Sequence, residues 1–179
     1  MSNGQIFLLV NLIGGTTVIG SYVFSIAFFP EHRESFWGGV DGNLRRVFTI
    51  SMVPAAVGYL IFACFMVSKS EVLGFNQDDL INGYAPIILS VIFLIASTVW
   101  MPTLALYLDS NQPIWWHVSL TSLWITALTL IILTVFAGAK FATVPTTEGL
   151  LAIIGLIYIT FHCTILDAII WRSKFPTIH

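Results

Sequence analysis

Two ionisable side chains stand inside the last long apolar run of this sequence, His162 and Asp167. In a low-dielectric surrounding each costs free energy unless it is hydrogen-bonded or paired, so each is a candidate functional residue. A neutral imidazole donates at one nitrogen and accepts at the other, and it titrates near pH 6.5. That suits His162 to holding a ligand or relaying a proton. At about 100° per residue on an α-helix, five residues subtend about 500°, which leaves the two side chains about 140° apart. His162 then shares a face with Gly155 and Tyr158, and Asp167 with Thr160, Cys163 and Thr164. A His–Asp dyad is not expected from this spacing. Asp167 is expected instead to form a structural ion pair with Arg45 or Arg46, tying the fifth helix to the start of the second.

Around His162 the sequence offers neutral polar partners. Asn11 lies in the first apolar run, on a face with Gly14, Gly15, Tyr22 and Ser25. Ser119, Ser122, Thr126 and Thr129 form an unbroken hydroxyl stripe in the fourth. Trp100 precedes Pro102, whose missing N–H frees the carbonyl of Thr98 and is expected to kink the third helix. An intramembrane pocket near the bilayer midplane would be lined by His162, Tyr158, Asn11, Ser122, Thr126 and Trp100. The competing reading makes the same small and hydroxyl residues packing seams between helices, which is how membrane helices adhere.

Other chemistry finds little footing. Cys64 and Cys163 lie in apolar runs without a CxxC spacing, so they are read as core thiols, and no metal site is expected. His117 and His162 would differ in depth by roughly 10 Å at 1.5 Å per residue, too much for shared haem ligation. Lys69, Lys140 and Lys174 fall outside the spans, which excludes a retinal Schiff base. The glycine-rich stretch from Trp37 to Asn43 follows no strand and precedes no Lys-Ser/Thr, so it is read as an ordered loop on the headgroups, not a phosphate loop. No catalytic residue and no cofactor is assigned.

The elements that must position these residues follow from composition. Of 179 residues 57% are hydrophobic and only 9% charged, where a soluble domain carries about 25% charge. Mean hydropathy is +0.91. A soluble globule, a disordered chain and a basic nucleic-acid binder are excluded. About 20 apolar residues cross a bilayer, and five segments qualify: 6–29, 47–67, 84–108, 115–136 and 150–170. The expected fold is all-α, one bundle of five transmembrane helices, with the first run a retained helix that stops at Pro30. Pro145, Thr146, Thr147 and Glu148 announce the last helix. Short loops imply sequential antiparallel packing. Arg33, Arg45, Arg46, Arg172 and Lys174 gather on one side, against Lys69 and Lys140 on the other. The expected orientation is therefore N-terminus outside and C-terminus cytoplasmic. Trp37, Trp115, Trp116, Trp171 and Tyr84 sit near span ends, as an interfacial aromatic belt does.

Five spans in a chain of this size are similar in helix count to the translocator-protein family. The Trp-Pro-Pro signature and the Asn- and Trp-rich helices of that family are missing, so no residue role follows. Three functions fit the sequence. The first is binding or transport of an apolar or weakly polar small molecule. The second is an accessory subunit of a larger membrane complex, and the third is an enzyme acting on a lipid or quinone. The fitting partners are the bilayer, a small-molecule ligand, and other membrane proteins or further copies of the chain, with no nucleic acid. Which membrane houses the chain is not legible.

Overall fold

The computed structural model describes residues 1–75, 80–143 and 145–176. They form five long helices: α1 (Asn3–Phe28), α2 (Gly42–Ser68), α3 (Ala85–Ser110), α4 (Pro113–Thr143) and α5 (Thr147–Lys174). Each is long and apolar enough to cross a membrane, and the described residues contain no strand. Most helix ends overrun the expected spans, and side-chain caps hold the starts of α1 and α5. Ser2 and Gln5 form a capping box on α1. Thr146 caps α5 by accepting from the Gly149 N–H at 3.1 Å, where the sequence announces a helix start. Lys69 and Glu148, 3.2 Å apart, join the ends of α2 and α5.

Packing is sequential only in part. The extensive contacts are α3 on α4, α1 on α3 and α2 on α5, and lesser ones of α4 on α5 and α1 on α2 close a ring. The chain order therefore does not give the spatial order, since α2 seats against α5 and α3 against α1. Backbone shape selects these partners. Gly58 of α2 faces Gly155 of α5 so closely that a Cβ on either would lie within 2.6 Å of the other's backbone. In the same way Gly14 lets α1 ride on the side chain of Leu94. Between α3 and α4 the hydroxyls of Ser97 and Thr126 are 3.4 Å apart, and Ser119 donates to the Trp100 carbonyl at 3.2 Å. Between α4 and α5, Thr134 and Thr160 meet at 2.7 Å. The interior is thus small and hydroxylic where helices touch. Ile19, Ile50, Val53, Leu60, Ile95 and Val135 face outward, an arrangement suited to lipid.

Rings fill the two ends. Phe7, Phe62, Phe65, Phe75 and Phe141 belong to one cluster. Phe36, Tyr107, Trp116, Trp171 and Phe175 belong to the other, at the end that carries the first loop. Trp116 and Trp171 are therefore buried, 7% and 3% exposed, and do not form part of an interfacial belt. The first loop is ordered through two short 3₁₀ turns. It folds onto the bundle: Phe36 and Val40 are buried, Trp171 Nε1 donates to the Phe36 carbonyl at 2.9 Å, and Gly39 N–H donates to the Lys174 carbonyl at 3.1 Å. Gly38 takes φ 57°, and a Cβ there would strike Phe175. Cys64 is exposed on the outer side of α2 instead of in the core, and Cys163 is partly buried; both are free thiols.

Candidate functional site

The backbone of α5 changes character at His162. From His162 to Trp171 it is π-helical, with hydrogen bonds closing from residue i+5 to residue i. Five residues then complete slightly more than one turn, so side chains five apart share a face. The expectation that His162 and Asp167 diverge fails for this reason. His162 Nε2 lies 3.7 Å from Asp167 Oδ2.

Behind the pair runs a short polar chain. The Tyr158 hydroxyl donates to Ser51 Oγ at 3.3 Å, and Ser51 Oγ is 2.8 Å from His162 Nδ1. Ser51 Oγ meets Nδ1 as donor or as acceptor according to the tautomer of the ring, and Nε2 is the nitrogen on the Asp167 side. His162 is 5% exposed and packs edge-on to Phe48 at 6.4 Å. In the sequence Ser51 reads only as a small packing residue. Its role follows from the Gly58–Gly155 contact, which brings α2 and α5 near enough for a short hydroxyl to reach the ring.

Asp167 opens on a cleft of about 400 Å³ at the first-loop end of the bundle. Tyr22, Phe48, Trp100 and Trp171 form its aromatic walls, and Arg33, Glu34 and Arg45 stand at its mouth. Tyr22 packs edge-on to Trp100 at 5.8 Å, and Trp100 to Trp171 at 5.6 Å. The Trp100 indole N–H is buried without a hydrogen-bond acceptor among the described residues. Arg45 does not pair with Asp167. Its guanidinium holds Glu34 through contacts of 2.6 and 3.2 Å and lies 4.5 Å above the Trp37 ring. This bidentate hydrogen bonding holds the Glu34 carboxyl below its ordinary range. Glu34 lies in the first-loop turn beside the start of α2 and reaches Arg45 before Asp167 does. Arg33 donates from Nε to the Ile26 carbonyl at 2.9 Å, and Arg46 is exposed.

Of the six residues expected around one pocket, Trp100 lines the cleft, His162 stands behind its carboxylate, and Tyr158 reaches it only through Ser51 and His162. The other three are elsewhere. Asn11 accepts from Tyr59 at 2.7 Å and donates to the Phe7 carbonyl at 2.8 Å, in a separate network with Ser90. Thr126 is in the α3–α4 seam, and Ser122 donates to its own helix at Ser119. Asn11 faces Tyr59 of α2 and Thr126 faces Ser97 of α3, neighbourhoods that no periodicity within one helix reveals. The helix α3 runs on through Pro102, and Thr103 and Ser119 hydroxyls bond the nearby Val99 and Trp100 carbonyls. Glu31, His32 and Asp109 also approach one another at the surface, with His32 Nε2 3.8 Å from Glu31 and 4.0 Å from Asp109. The site is therefore an aromatic cleft with the Asp167 carboxylate inside, the His162 imidazole 3.7 Å from it, and the Glu34–Arg45 pair at the mouth. Comparison of the chain with protein-family models, curated proteins and solved structures finds no significant match.

Proposed function

We propose that this protein binds, and by binding moves, a small molecule in the cleft beside Asp167. One observation carries the reading: the carboxylate held inside α5 opens into a ring-walled space of about 400 Å³, within the range of about 300–1,000 Å³ typical of ligand sites. An accessory subunit needs no such space. An enzyme needs several convergent acids, bases or a metal, whereas Glu34 here is tied to Arg45 and leaves Asp167 with the His162 ring. The distribution of Arg and Lys favours a cytoplasmic location for the cleft mouth, at the level of headgroups and not at the bilayer midplane.

A thermal-shift screen of the detergent-extracted protein tests the reading. The panel holds aromatic amines, neutral aromatics and aromatic acids. At least one class is expected to raise the midpoint of the wild type and not that of Met52→Trp, in which an indole fills the cleft. If no compound stabilises the wild type, or if Met52→Trp responds equally, the proposal is wrong.

A further inference from the structure

Resting on the cleft reading, we propose that the ligand is a lipophilic organic cation, an aromatic or quaternary ammonium, and that it exchanges one-for-one with a proton at Asp167.

The charges around the cleft point to a cation. On its own helix Asp167 meets the His162 imidazole, 3.7 Å away, and stands one turn from Cys163. From α1 it faces the phenol of Tyr22, and from α3 only Trp100 and Met101; α4 contributes nothing to the lining. The first loop and α2 supply Arg33, Glu34 and Arg45, but Arg45 is committed to Glu34 and Arg33 is tied by Nε to the Ile26 carbonyl. No Arg or Lys among the described residues forms an ion pair with Asp167, whose one such contact there is the His162 ring at 3.7 Å. A carboxylate in that position takes one mobile cation at a time, either a proton or a ligand. An anion entering the same space meets Asp167 at its floor.

The walls select the kind of cation. Ring faces attract a cation through their quadrupoles, most strongly when water is excluded, and quaternary ammonium groups are recognised in this way. Tyr22, Phe48, Trp100 and Trp171 bring four rings to one carboxylate. A small hydrated metal ion gains little from such walls, whereas a bulky organic cation fills them. The exchange balances: protonated Asp167 and a free cation become an Asp167 carboxylate with a bound cation, plus one proton released to water at the mouth.

Tetraphenylphosphonium, a permanent cation, is the test probe, and triphenylphosphine oxide is its uncharged counterpart. Binding is read by equilibrium dialysis on the full chain in detergent, with proton release followed in weak buffer. Tetraphenylphosphonium affinity is expected to rise with pH, approaching tenfold per unit where exchange operates, with one proton released per cation bound. Asp167→Asn should weaken it at least tenfold and abolish the pH slope, while Asp167→Glu keeps both. Wild-type binding without proton release overturns the inference whether or not the variants fold. If triphenylphosphine oxide binds and the cation does not, the cleft reading stands and the cation inference falls. If neither binds, both fall.

Discussion

Replacing Gly58 by alanine is expected to wedge α2 away from α5. The added Cβ would lie 2.6 Å from the Gly155 carbonyl oxygen and 2.7 Å from its Cα. That is roughly 0.8 Å short of ordinary contact, on the steep repulsive wall of the van der Waals potential. The opposing atoms are backbone, so no rotamer change relieves the clash and the helices themselves must part. Overpacking of a tight interior costs about 1–3 kcal/mol, and a backbone clash belongs at the upper end. Alanine recovers about 1 kcal/mol of helix propensity, leaving a net loss of about 2 kcal/mol. For a chain of this size that lowers Tm by about 4–8 °C. Gly155→Ala meets the Gly58 carbonyl at 2.5 Å and should behave alike. The double variant should lose less than the two single losses added, because one separation relieves both clashes. At Gly15 nothing lies within 4 Å of the place a Cβ would take, so this residue serves as the control. Gly15→Ala should hold Tm or raise it by about 2 °C. Thermal unfolding in mild detergent, followed by tryptophan fluorescence, reads all four. If Gly58→Ala and Gly155→Ala melt with Gly15→Ala, the glycine contact does not set the α2–α5 distance.

Three further outcomes follow from named contacts. Thr146→Ala removes the cap on Gly149 and should cost about 1 kcal/mol, with faster hydrogen exchange at the Gly149 amide; unchanged exchange would count against the cap. Trp171→Phe keeps a ring but strands the Phe36 carbonyl, at a cost of about 1–3 kcal/mol. Trypsin should then cut the first loop at Arg33 several-fold faster, and an unaltered rate would refute this. The lowered pKa of Glu34 means that the Arg45 pair contributes fully above the carboxyl's unfolded pKa and is lost only as pH falls through the lower folded value. Carboxylate NMR of Glu34 should therefore show a midpoint below that of free glutamate, returning toward it in Arg45→Gln.

The helices are legible in the sequence because apolar run length and capping residues are local signals: Pro30 and Thr146 mark boundaries that the structure places within a residue or two. The meeting of His162 and Asp167 is not legible, because a helical wheel presumes i-to-i+4 bonding and nothing in the sequence His162–Trp171 announces the wider spiral. The Arg45 pairing is half visible: the cation is correct, but the nearer acid is Glu34, hidden in a loop whose turns bring it back over α2. Asn11 and Thr126 are recognisable as polar positions, yet their partners Tyr59 and Ser97 depend on which helices adjoin. Trp116 and Trp171 share the sequence position of interfacial tryptophans, and only the folding back of the first loop buries them.

The ring closure through α2 and α5 also fixes a chronology. Ser51 and Tyr158 are 107 positions apart, and Phe36 and Trp171 are 135 apart. At about 5–20 residues per second, α2 waits roughly 5–20 s of synthesis for the helix that fits its glycine face. Until then Ser51 has no imidazole, the first loop has no tryptophan to hold it, and the cleft has no carboxylate. The nascent protein therefore completes the cleft only with α5, and a chain cut short before Thr147 forms helices without the Asp167 carboxylate.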